Sequence, residues 1–258
     1  MSGPRVRVVG HRGAPAHAPE NTLASLERAA RDGADEVELD VQRTADRVTV
    51  LLHDDTIDRT TSGHGRLREL PWAEVRKLDA GSWFGPEFAG ERVPSLAEVC
   101  AWARSTRVGL SVELKQPAPG DGIACDEGLA DDVVGELDRS GLLARSVIHS
   151  ADHPSIARVR SVAPGVRTAL SYSGVNLVDP LAIARTVPGI AMVNIGWLWI
   201  SADLCRAMRA AGIEVHAWGV PEPFDEEIVA RLIGYGVSSL SADDPGALVH
   251  LLASALLG

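Results

Sequence analysis

From Val6 to the C-terminal end, short apolar runs alternate with longer stretches whose apolar positions recur every three or four residues. The short runs are rich in Val, Ile and Leu and predict strands at 6–10, 35–41, 48–52, 109–114, 146–150, 167–171, 190–195, 214–218 and 237–241. The longer stretches predict helices over 20–32, 95–105, 126–140, 153–162, 179–186, 201–211, 223–235 and 245–257. Strand followed by amphipathic helix, repeated from end to end, is the pattern of βα units around a parallel sheet.

One strand has no helix of its own. Between Val41 and Val48 lie only residues 42–47, too few for the crossover that two parallel strands need. Strands 35–41 and 48–52 therefore predict an antiparallel hairpin; a turn centred on Ala45-Asp46 sets residue 38 roughly opposite residue 53. Eight βα units remain, which predicts an α/β fold, a TIM (β/α)8 barrel. Residues 56–94 are too long for a βα loop and carry their own helix signal at 71–78. They predict a small insertion after the second-strand hairpin, folded over one end of the barrel. No linker divides the chain, so residues 1–258 are expected to form a single domain.

Composition narrows the function. The chain is 45% hydrophobic and 23% charged, enough to bury a full core. Its formal net charge of −10, with no run of Lys or Arg, leaves no electrostatic footprint for nucleic acid. A bound phosphate must then be held by a local site or a cation. The N-terminal MSGPRVRVVGH lacks a signal-peptide core, and the longest apolar run, IGWLWI at 195–200, is too short to cross a membrane. Cys100, Cys125 and Cys205 are far apart and fit no metal spacing, which predicts reduced, structural thiols. A cytoplasmic protein without stable membrane insertion is the expectation.

In a TIM barrel the active site lies at the C-terminal ends of the strands. The first strand ends in His11-Arg12, followed by a glycine that lets the backbone turn away. Period-two alternation puts Glu38, Asp40 and Gln42 on one face, and the return arm of the hairpin ends at His53-Asp54. The strand SVELK presents Glu113 and Lys115. Three carboxylates with no cysteine are the ligand set of one hard divalent cation, Ca2+ or Mg2+, so Glu38, Asp40 and Glu113 are the candidate ligands. His11 and His53 suit general acid–base work because their ordinary pKa lies near neutral pH. Arg12 and Lys115 are placed to neutralise phosphoryl oxygens. Glu20 and Asn21 are possible supporting residues, and Asn21 alone is explained by N-capping the helix that follows. The remaining histidines, His17, His64, His149, His153, His216 and His250, read as packed or surface residues.

With these residues go longer motifs: HRG and ENT, then ELDVQRT, LLHD, DRTTSGHG, LDAGSWF, GERVPSLAEV and VELK, with SADDP at 241–245. In this order and spacing the chain resembles the glycerophosphodiester phosphodiesterase family, densely over 8–115 and more loosely beyond. The resemblance implies a TIM barrel with a small insertion and hydrolysis of a small-molecule glycerophosphodiester to glycerol 3-phosphate and an alcohol. It carries the acid–base pair onto His11 and His53, the metal ligands onto Glu38, Asp40 and Glu113, and phosphate contact onto Arg12 and Lys115.

Two positions depart from the family pattern. Its Ser-Phe after the fourth parallel strand is Ser150-Ala151 here, and its Trp-Thr-Val-Asn near the seventh is Trp218 to Pro221. Both bear on the alcohol portion of a substrate, against which Trp218 is expected to pack. Other readings compete. A lysophospholipase D-like activity would want apolar surface near the mouth, with Trp83, Phe84, Phe88, Trp197 and Trp199 as candidates. A non-catalytic phosphodiester-binding barrel would be favoured by loss of a histidine or carboxylate, and none is lost. A helical His-Asp phosphohydrolase is disfavoured because LLHDD follows a β-rich run.

Overall fold

The computed structural model describes residues 5–116, 126, 128–172 and 179–255; Cys125 and the last residues of the helix expected at 245–257 lie outside them. Its strands are β1 (Arg7–Gly10), β2 (Glu36–Arg43), β3 (Thr49–Leu51), β4 (Gly109–Leu114), β5 (Ser146–Ser150), β6 (Arg167–Tyr172), β7 (Met192–Gly196), β8 (Glu214–Trp218) and β9 (Ser239–Ala242). Its α-helices are α1 (Leu23–Arg31), α2 (Trp72–Val75), α3 (Leu96–Arg104), α4 (Leu129–Arg139), α5 (His153–Val162), α6 (Pro180–Ala184), α7 (Ala202–Ala210), α8 (Glu226–Tyr235) and α9 (Pro245–Ala255). All strands but β3 pair in parallel, and β1 bonds both β9 and β2, which closes an eight-stranded TIM barrel.

Most of the described helices start where short polar side chains satisfy free backbone N–H groups, α2 and α4 being exceptions. Ser95 and Glu98 form a reciprocal capping box at α3, and Asp152, Ser201 and Asp225 cap α5, α7 and α8. Outward strand residues such as Val37, Leu39, Leu110, Val112 and Ile148 bury against Leu26, Val99 and Leu137 from the helices. Val193, Ile195, Val215 and Leu240 do the same on the other side, against Met208 and Leu232. Leu39 is fully buried, so Leu39→Ala would cost about 2–5 kcal/mol.

The interior of the barrel is different. Residues paired in register share a face, which places Glu36, Glu38 and Asp40 beside Gly109, Ser111 and Glu113. The same inward rows continue through Val147 and His149, Ala169 and Ser171, Met192 and Asn194, then His216 and Ser239. Val147, Ala169 and Met192 form a thin apolar belt. At the N-terminal end of the strands Arg7 pairs with Glu36 and Glu214, and Arg167 also pairs with Glu214.

The hairpin has its expected sense but not its expected register. Val41 pairs with Leu51 and Arg43 with Thr49, so residue 39, not 38, would face position 53. The ladder ends there, and Gln42 instead holds the outgoing chain by donating Nε2–H to the carbonyls of Leu52 and Asp54. The insertion follows, packing Ile57, Leu67, Val75 and Val93 under Val50 and Leu52. Its expected helix at 71–78 is only the single turn α2. Just beyond, the Asp79 carboxylate accepts from the N–H groups of Gly81, Ser82 and Gly90 and bends the chain away.

Candidate active site

Strand alternation brings Glu38, Asp40 and Glu113 together at the C-terminal mouth, where one oxygen from each lies within 4.8 Å of the others. Asp40 is almost wholly buried, and Lys115 Nζ stands 3.6 Å from Asp40 and 3.6 Å from Glu113. Burial and the neighbouring Asp40 charge push Glu38 up to about 8; burial raises Glu113 to about 7. Burial opposes the charge on Asp40 as well, but Lys115 and Arg12 overcome it and hold its pKa below the usual range. Three crowded carboxylates, of which Glu38 and Glu113 resist ionisation in the cation-free fold, form a donor set suited to a hard divalent cation.

A cavity of about 540 Å³ opens beside this cluster, lined by His11, Arg12, Glu38, His53, Glu113, Lys115 and Trp218 among others. The two histidines are each steered by a carboxylate. His11 Nδ1 lies 2.7 Å from Asp243, and His53 Nδ1 lies 2.6 Å from Asp54. Burial disfavours the charged ring in both. At His11 the Asp243 bond and the Glu38 charge outweigh burial and raise the pKa; at His53 burial and Lys115 prevail and lower it.

Arg12 is held in a left-handed conformation (φ 53°), with its N–H donating to Glu38 and its guanidinium to Glu20 at 2.8 Å. Gly13 follows at φ 94°, where an added Cβ would strike Ser25. Asn21 is not the N-cap of α1. Thr22 takes that role, accepting from the Ser25 N–H, while Asn21 adopts φ 55° and meets Asp40. Its Nδ2–H donates to the Asp40 carboxylate and its Oδ1 accepts the Asp40 N–H. Two non-glycine residues in this region mark stored strain beside the carboxylates.

All ten sequence-predicted positions thus meet at one mouth: eight around the cavity and carboxylate cluster, with Glu20 and Asn21 one contact behind. Four other residues were not foreseen in these places. Asp243 arrives from the end of β9, and Glu222 accepts the N–H groups of Asp243 and Asp244. His149 and His216, read from sequence as packed or surface residues, are buried inside the barrel and line the cavity. Their Nδ1 atoms meet only hydroxyls, Ser171 at 3.0 Å and Ser239 at 2.8 Å, and burial lowers their pKa to about 4 and about 3. The period-two placement of both in inward rows was the available signal.

Comparison with known proteins identifies the family and the fold. A family model, the glycerophosphoryl diester phosphodiesterase family, matches residues 11–247. A glycerophosphodiester phosphodiesterase of Caldanaerobacter subterraneus subsp. tengcongensis is 34% identical over 245 residues, covering 95% of this chain and 97% of the relative. A phosphodiesterase of Oleispira antarctica, solved in complex with the product sn-glycerol-3-phosphate, superposes with a TM-score of 0.84 at 28% identity, covering 96% of each chain. A glycerophosphodiester phosphodiesterase of Agrobacterium tumefaciens gives 0.79 at 28% identity, over 95% of this chain and 100% of its own. The chain belongs to the glycerophosphoryl diester phosphodiesterase family and is an enzyme of that class.

Proposed function

We propose that this site hydrolyses glycerophosphodiesters to glycerol 3-phosphate and an alcohol, using one divalent cation, Ca2+ or Mg2+, and His11 and His53 as acid and base. The observation that carries the reading is the meeting, at one cavity mouth, of a three-carboxylate cluster with two carboxylate-steered histidines and the side chains of Arg12 and Lys115. The glycerol 3-phosphate bound by the Oleispira relative supports the product assignment. Glu38, Asp40 and Glu113 would hold the cation, which when bound offsets phosphoryl charge and eases loss of a hydroxyl proton.

Arg12 and Lys115 neutralise the phosphoryl oxygens. The substrate's own vicinal hydroxyl attacks phosphorus, an intramolecular step that lowers the barrier by several kcal/mol. The opposed pKa directions favour His53, the more readily neutral ring, as the base that takes the hydroxyl proton. His11, whose charged form Asp243 favours, protonates the leaving alcohol. The roles reverse when water opens the cyclic phosphate. We read the chain as one barrel domain with the 56–94 insertion, acting in the cytoplasm on a small molecule and not on nucleic acid. Among the described residues no helix is long and apolar enough to cross a membrane, and Cys100 and Cys205 are free and buried.

A second reading, cleavage of lysophospholipids, has one observation in its favour. Exposed Trp199 and the cavity-lining Trp218 both lie against Gly196, and the neighbouring Leu198 is exposed as well. The test is a cation-reconstituted screen of glycerophosphocholine, -ethanolamine, -glycerol and -inositol and their lysophospholipid counterparts, following release of glycerol 3-phosphate or its acylated form. Removing the vicinal hydroxyl should leave a competitive inhibitor that turns over far more slowly. Cleavage of the deoxy analogue at the parent rate would replace this route with direct attack by water.

A further inference from the structure

We propose that Arg59, carried by the insertion, is a positioning residue that locks Arg12 and His53 into one ion-paired frame. The inference rests on the reading of those two residues as phosphate-binding and acid–base groups. Arg59 spends its guanidinium on two carboxylates at once. Its Nε–H donates to Asp54 at 2.6 Å, and its two terminal nitrogens donate to the two oxygens of Glu20 at 2.7 and 2.8 Å. Each carboxylate has one further partner, and both partners face the cavity. Glu20 accepts from Arg12 at 2.8 Å, and Asp54 meets His53 Nδ1 at 2.6 Å. A continuous chain therefore runs Arg12–Glu20–Arg59–Asp54–His53.

This is more than a surface ion pair, although Arg59 is itself half exposed. Glu20 and Asp54 both lie on connecting segments, outside any helix or strand, so neither backbone fixes its side chain. Without a cation between them the two carboxylates would repel and move apart, each taking a site residue along. The planar fork of an arginine can hold both carboxylates at fixed angles; a lysine ammonium, a point charge, cannot. Arg59 is also presented from a braced turn. Thr61 Oγ1 donates to the Ile57 carbonyl and accepts the Gly63 N–H, and Ile57 is buried in the insertion's own core. The insertion thus reaches back to brace the two sides of the mouth, the loop before α1 and the loop after β3.

Steady-state kinetics on glycerophosphocholine, at saturating divalent cation, test the frame with Arg59→Ala, Arg59→Lys, Glu20→Gln, Asp54→Asn and the Arg59→Ala/Asp54→Asn double variant. Displacing a reacting group by about an ångström can cost about 10²-fold, so Arg59→Ala should lower kcat/KM on that scale while the thermal melt stays cooperative. The loss should divide, Asp54→Asn falling mainly on kcat and Glu20→Gln mainly on KM. The double variant should be no worse than the more damaging single one. Added guanidinium ion should restore part of the activity of Arg59→Ala and none of that of Asp54→Asn, and Arg59→Lys should recover at most one arm. Folded Arg59→Ala with parental kcat and KM overturns the proposal, as does a loss that is fully additive with Asp54→Asn and unmoved by guanidinium. If Arg59→Ala does not fold, the same criteria apply to Arg59→Lys. His53→Ala measured alongside separates the two failures. Parental turnover there removes the catalytic reading itself, whereas an inactive His53→Ala beside a fully active Arg59→Ala removes only the frame.

Discussion

The two halves of the mouth use the same residue types to opposite ends. From β1 to β4 the inward groups are charged or steered by charge: His11, Arg12, Glu38, Asp40, His53, Glu113 and Lys115. From β5 to β8 the groups on or next to the strands are neutral or apolar, His149, Ala151, Ser171, Asn194, His216 and Trp218, while Glu222 in the loop after β8 is engaged by the N–H groups of Asp243 and Asp244. Histidine makes the contrast sharpest. All four rings lose solvation, yet His11 is raised because Asp243 and Glu38 outweigh its burial. His149 and His216, with hydroxyls as their Nδ1 partners, are driven down to about 4 and about 3. At His11 a partner able to carry negative charge, and not the imidazole itself, offsets burial; the hydroxyl partners of His149 and His216 cannot, and at His53 burial and Lys115 outweigh Asp54.

Removing the rings on the charged side is the hardest test of this contrast. His11→Ala or His53→Ala should lower kcat by about 10²–10⁴-fold, the scale of a general acid or base. His216→Asn, on the neutral side, should leave kcat close to the parent. The parent pH profile should be bell-shaped, its acid limb dominated by His53 and its alkaline limb by His11, with apparent values belonging to the coupled pair. A large kcat loss in His216→Asn would dissolve the division.

The steering carboxylate comes next. Asp243→Asn should cost about 10²-fold in kcat through misplacement of His11, and should pull the alkaline limb to lower pH. An unmoved limb would show that Asp243 does not set the state of His11.

Smaller, but specific to the charged half, is its response to protons. Glu38 and Glu113 stand above the ordinary carboxyl range in the cation-free fold, so protons and a divalent cation compete for them. Calorimetric titration should show cation affinity rising as pH climbs through about 7 to about 8, with protons released on binding. The sign carries into stability. A carboxyl whose folded pKa is raised stabilises fully below its unfolded value and loses that contribution as pH rises through the folded value. The melting temperature of chelated protein should therefore fall as pH approaches about 8, and saturating cation should cancel much of that fall. Affinity independent of pH would remove these two carboxylates from the cation site.

The division also explains what the sequence made legible. Strand order, the hairpin and most helix spans follow from periodicity, because the apolar cores lie outside the barrel wall and dictate alternation. The charged half is legible because its groups are titratable and sit at strand ends within the first 115 residues. Asp243 acts on His11 across 232 residues, a pairing that only barrel closure by β9 creates. The role of Asn21 was masked by its good fit to helix capping, which Thr22 satisfies instead. Neither His149 nor His216 is directly flanked by a charged residue, as His11 is by Arg12 and His53 by Asp54, so nothing beside them in sequence distinguished them from core residues.

Least in size is the effect expected at the apolar edge, where Trp218 lines the cavity with 37% of its surface exposed. Trp218→Ala should raise KM by about tenfold, the equivalent of roughly 1.4 kcal/mol of lost contact, and leave the chemical step alone. That difference allows the most direct test of the central claim, that the β1–β4 half does the chemistry and the β5–β8 half only receives the substrate. Single-turnover rates on glycerophosphocholine at saturating substrate and cation would be compared for the parent, His53→Ala and Trp218→Ala. The account predicts a collapse of the rate in His53→Ala and a parental rate in Trp218→Ala. A single-turnover rate in Trp218→Ala as low as that of His53→Ala would contradict it.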